Sequence, residues 1–83
     1  MRIFYYKQAQ KYIFKQDAPT KTRIKEAVEN LTHKPPKGDI IPLKGEENRY
    51  RVRVGNFRMK VEFDTENNKI IIFEIGSRGD FYK

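Results

Sequence analysis

The chain has 83 residues, 18 of them Lys or Arg against 11 Asp or Glu, and no cysteine. So short a chain holds one small core, and the missing cysteines exclude disulfide staples and thiolate metal sites. A net charge of +7 favours an anionic partner: nucleic acid, an acidic protein or a membrane surface.

Residues 2–6 are β-branched and aromatic and predict a first strand. Residues 8–16 predict a short helix, with Ala9, Tyr12 and Ile13 at helical spacing. Asp17 is placed to cap a second helix whose first turn accepts Pro19. Ile24, Ala27, Val28 and Leu31 form its apolar stripe, and it is expected to run to Thr32 or His33, before Pro35-Pro36 ends it. Residues 37–45 read as a connecting loop punctuated by Gly38, Pro42 and Gly45, with Ile40, Ile41 and Leu43 covering part of the core.

Residues 49–60 alternate cation and apolar residue, turn at Gly55-Asn56, and alternate again. This is a hairpin with one wet and one buried face. If Val54 and Phe57 flank the turn, Tyr50 lies opposite Val61 and Val52 opposite Met59. The other face then sets Arg53 against Arg58, Arg51 against Lys60, and Arg49 against Glu62. Like charges directly across a strand pair are destabilising, so this face reads as one that awaits phosphates. Arg forks match phosphate oxygens two at a time. The second hairpin strand continues to about Phe63, residues 64–68 turn, and residues 70–75 form a fourth strand. That strand is apolar enough to predict a central position covered on both faces.

The resulting order, β-α-α-β-β-β over residues 1–83, predicts an α+β domain. Two helices pack on one face of a mainly antiparallel four-stranded sheet. After the last strand, Arg78 and Tyr82 can return to the open face, Tyr82 to stack on a base or transfer a proton. His33, without cysteine or a carboxylate cluster, makes a poor metal ligand, so neither metal nor cofactor is expected. Glu46 and Glu47, just before the basic strand, are the nearest general-base candidates. The apolar run 70–73 is too short to span a bilayer, and residues 1–7 lack the features of a signal peptide. We therefore expect a soluble, cytoplasmic protein with no membrane partner.

The runs Leu43-Lys44-Gly45, Tyr50 to Arg58, Ile75-Gly76-Ser77-Arg78 and Phe81-Tyr82 resemble RelE-type toxins of the RelE/ParE toxin–antitoxin superfamily. The resemblance implies a microbial-ribonuclease-like fold and a ribosome-dependent endonuclease that cleaves mRNA in the ribosomal A site by metal-independent 2′-hydroxyl attack. It implies phosphate contacts at Arg51 and Arg53, charge stabilisation at Arg58, an arginine near the leaving oxygen at Arg78, and base stacking at Tyr82. Lys44, Arg49 and Lys60 are expected as flanking RNA contacts. Where such toxins often carry lysine, this chain has Arg51 and Arg53, and arginine is a poor general base. The implied partners are a RelB-type antitoxin, the 70S ribosome with its message, and operator DNA only through the antitoxin. The alternatives are a ParE-like inhibitor of DNA gyrase and a non-catalytic basic nucleic-acid-binding module.

Overall fold

The computed structural model describes residues 1–77. In chain order the elements are strand β1 (Arg2–Tyr5), helices α1 (Lys7–Phe14) and α2 (Ala18–Asn30), and strands β2 (Asp39–Pro42), β3 (Arg49–Val54), β4 (Phe57–Asp64) and β5 (Lys69–Ser77). The strands form one sheet in the order β1-β5-β4-β3-β2. Every pairing is antiparallel except β1 with β5.

Among the described residues the sheet therefore has five strands rather than four. The additional strand, β2, lies inside the segment whose glycines and proline read as a loop. Its place at the sheet edge explains how it tolerates Pro42, since an edge strand leaves outward-facing N–H groups without ladder partners. Its register sets Asp39 against Arg53 and Ile41 against Arg51.

Both helices cover the same side of the sheet. Ala9, Ile24, Val28 and Leu31 pack there with Val52, Met59, Val61, Ile70, Ile72 and Ile75, all essentially without solvent contact. The apolar stripe read from α2 is this contact. Asp17 caps α2, accepting a hydrogen bond from the Thr20 N–H at 2.9 Å. The helix stops at Asn30, short of the expected end, because the N–H groups of Leu31, Thr32 and His33 bond three residues back. That tighter pattern closes the last turn, so His33 lies beyond the helix.

Helix α1 is fixed to β5 by Gln8. Its side-chain amide donates to the Ile75 carbonyl and accepts from the Ile75 N–H, both at 2.9 Å. One side chain thereby continues the ladder of β5 past the point where β1 ends.

The hydrogen bonds that build two turns also set an acid limit on stability. Bonds from Thr20 hold the Asp17 carboxyl below its usual range, and bonds from Asn67 do the same for Asp64. Each carboxyl is more acidic folded than unfolded. Its contribution is therefore complete above the unfolded value, 3.8 for both, and is lost as pH falls through the lower folded value. Thermal melts taken down to strongly acidic pH should show this loss. An Asp17→Asn/Asp64→Asn variant, which keeps hydrogen-bonding side chains but removes both titrations, should lose less stability over the same interval.

Candidate functional site

The β3–β4 register is the one read from the sequence: Arg53 opposite Arg58, Arg51 opposite Lys60, and Arg49 opposite Glu62. Strands lie about 4.8 Å apart, and residues on one face recur about every 6.6 Å along each strand. Arg49, Arg51 and Arg53 thus form a file of cations on the face that the helices leave open, beside a second file of Arg58, Lys60 and Glu62.

Carboxylates are interleaved with these cations. Asp39 on β2 accepts a hydrogen bond from Arg53 Nε at 2.8 Å. Arg49 donates to Glu62 at 3.1 Å and to Glu46 at 3.3 Å, and its guanidinium lies 4.4 Å from the Phe73 ring centroid. The Glu62 bond chiefly, with Glu46 behind it, holds Arg49 even more firmly protonated than usual. Glu74 on β5 stands across from Lys60. The repulsion implied by cation opposite cation is therefore relieved in part by the protein itself.

The site centres on the hairpin tip. Asp39, Arg53, Gly55, Asn56 and Arg58 line a polar depression of about 320 Å³. Gly55 takes a φ of +58°, a left-handed conformation that glycine adopts at no steric cost. Arg23 reaches this tip from α2, its Nη1 lying 3.7 Å from where a Cβ on Gly55 would stand. Arg58, expected on a wet face, is only 9% exposed. Its neighbour on β5 is Gly76, which presents no side chain there. Among the described residues no buried side-chain nitrogen or oxygen lacks a hydrogen-bond partner, and Arg58 still borders the depression.

Of the other residues singled out from sequence, Arg51 and Lys60 lie next to the tip, one pair along the ladder. Arg49 is a further pair away. Lys44 is exposed in the turn between β2 and β3, apart from the depression. Glu46 is engaged with Arg49, not with the Arg53–Arg58 pair. Arg78 and Tyr82 lie outside the described residues. Asp39 was not singled out from sequence. The signal that could have found it is the pair Ile40-Ile41 followed by proline, which fits a short edge strand. Among the described residues no group of three or more His, Cys, Asp or Glu could hold a metal ion. No helix among them is long and apolar enough to cross a membrane.

The described residues form a small α+β domain with two helices on one sheet face and a hairpin whose cations lie on the other. A family model described as the ParE toxin of the type II toxin–antitoxin system parDE matches residues 3–82. The chain belongs to this family and is a type II toxin of the RelE/ParE superfamily. Its fold is similar to that of a chain in the RelB–RelE antitoxin–toxin complex of Methanococcus jannaschii. The two are 29% identical with a TM-score of 0.75, covering 95% of this chain and 94% of that one. It is also similar to a chain of the archaeal RelE–RelB complex of Pyrococcus horikoshii OT3, 26% identical with a TM-score of 0.79 and 94% coverage of both. The isolated E. coli RelE toxin shares the fold at 14% identity and a TM-score of 0.77, with 92% of this chain and 82% of that chain covered. No curated protein gives a significant sequence match.

Proposed function

We propose that this toxin is a ribosome-dependent endoribonuclease that cleaves messenger RNA in the ribosomal A site and so stops translation. One observation carries the reading. Arg53 and Arg58, paired across the hairpin, line one polar depression, with Arg51 and Lys60 in the next ladder pair. Guanidiniums converging on one point stabilise the negative charge that builds on a phosphate as a ribose 2′-hydroxyl attacks it. Burial of Arg58 strengthens its share, because charge interacts more strongly away from bulk water.

In this reading Arg51 and Arg53 contact the reacting phosphate and Arg58 stabilises the transition state. Arg78 serves the leaving oxygen and Tyr82 stacks on the base. Lys44, Arg49 and Lys60 bind flanking RNA, and the reaction uses the chain's own side chains without a metal. The similar archaeal structures are antitoxin–toxin complexes, which supports a RelB-type antitoxin as partner. The 70S ribosome and its message are the target in the cytoplasm, and operator DNA is reached only through the antitoxin. Adding the purified protein to a translation extract should produce message ends within the A-site codon on a primer-extension map. Intact message in the presence of folded protein would reject the reading.

A second reading is favoured by the matching family model itself, which is that of ParE. The ParE branch inhibits DNA gyrase, and loss of gyrase supercoiling in the presence of this protein, with message untouched, would select it.

A further inference from the structure

The ribonuclease reading leaves the attacking 2′-hydroxyl without a proton acceptor, since the residues it places at the phosphate are arginines. The open face supplies one. Residues 39, 53 and 58 lie in a single row across β2, β3 and β4. The row reads carboxylate, guanidinium, guanidinium, with neighbouring strands about 4.8 Å apart. All three side chains line the depression at the hairpin tip. We propose that Asp39 is the general base of this site, taking the proton from the ribose 2′-hydroxyl while Arg53 and Arg58 hold the phosphate. The proposal rests on the ribonuclease reading and names the group that reading lacks.

The geometry suits the role in three ways. The Asp39 side chain is 50% exposed, so a ribose can reach it. Only Oδ2 is engaged by Arg53, and among the described residues Oδ1 takes part in no hydrogen bond. Arg53 also links base and phosphate. A phosphate oxygen arriving at the guanidinium competes with Asp39 for it, which loosens the carboxylate as the substrate seats. Glu46 is a weaker candidate. It is bound to Arg49, four residues from Arg53 along β3, or about 13 Å at strand spacing.

The step balances within the substrate and this carboxylate. The 2′-O–H bond breaks and its proton passes to Asp39. The 2′-oxygen forms a bond to phosphorus and the P–O5′ bond breaks. The 5′-oxygen takes a proton from water, and the hydroxide so formed takes the proton back from Asp39, leaving a 2′,3′-cyclic phosphate, a 5′-hydroxyl and the regenerated carboxylate. Among the described residues, the charged groups that line the depression with Asp39 are Arg53 on β3 and Arg58 on β4.

Single-turnover cleavage of message on programmed ribosomes tests the assignment, using wild type, Asp39→Asn, Asp39→Ser and Asp39→Glu. Asparagine can still accept from Arg53 but cannot take a proton. We expect Asp39→Asn and Asp39→Ser to lose about 100- to 10,000-fold in kcat with KM little changed. Asp39→Glu, which keeps a carboxylate, should recover at least about tenfold of that loss. The fall in rate on the acid side of the wild-type pH profile should vanish in Asp39→Asn. If Asp39→Asn or the folded Asp39→Ser cleaves within a few-fold of wild type, or keeps the acid-side fall, Asp39 only orients Arg53 and the base assignment is overturned. A wild-type protein that cleaves no message overturns the ribonuclease reading instead, and the base assignment with it.

Discussion

Replacing Arg58 by alanine is expected to slow message cleavage by about 100- to 1,000-fold, the range found when one preorganised donor to a developing oxyanion is removed. The size follows from where this guanidinium sits. Arg53 opposite it is 46% exposed and already shared with Asp39, whereas Arg58 is buried and acts through a medium that screens it less. A phosphate held between them therefore gains more from Arg58 than the simple count of cations indicates. Truncation also removes hydrogen bonds from a buried charged group, which costs stability in its own right. Rates should accordingly be compared below the melting temperature of each variant. Arg58→Lys separates charge from geometry: it keeps the positive charge but not the planar fork, and should fall between wild type and alanine. A folded Arg58→Ala protein that cleaves at the wild-type rate would remove Arg58 from the site.

What could be read from the sequence here depended on how local its cause was. The hairpin register was legible because a two-residue Gly-Asn turn and strict alternation leave little freedom in the pairing. The α2 cap and stripe were legible because Asp17, Pro19 and Ile24 to Leu31 act within a few turns of one helix. Strand β2 was not, because four residues ending in proline become a strand only when β3 offers an edge. That one miss concealed the counter-charge of Arg53, since Asp39 reaches it from 14 residues away in sequence. It also made the face look more purely cationic than it is. The burial of Arg58 was hidden for a similar reason: alternation assigns a side chain to a face but does not say how fully that face is covered.

Adjacent residues on β5 carry the second large effect. Residues 70–73 are uniformly apolar, a pattern that predicts a strand covered on both sides. The strand is central, between β1 and β4, but the two sides differ. Ile72 is fully buried beneath the helices, and Ile71, opposite Glu62 on the open face, is half-buried. A register irregularity at Lys60/Val61 leaves Phe73 as the unpaired residue between Ile72 and Glu74. It resets the alternation, so that Ile75 returns to the core. Ile72→Ala should therefore cost about 2–5 kcal/mol, the transfer loss plus the cavity left behind. Ile71→Ala, in partial contact with water, should cost under about 1.5 kcal/mol. A domain of this length has only about 4–12 kcal/mol in total. Ile72→Ala should thus lower the melting temperature by more than about 10 °C, while Ile71→Ala leaves a cooperative transition near that of wild type. Urea melts of the two variants check this directly: equal losses would mean that the open face is covered as fully as the helical one. On the ribonuclease reading the contrast bears on function, because among the described residues no helix packs on the face that carries the Asp39–Arg53–Arg58 row.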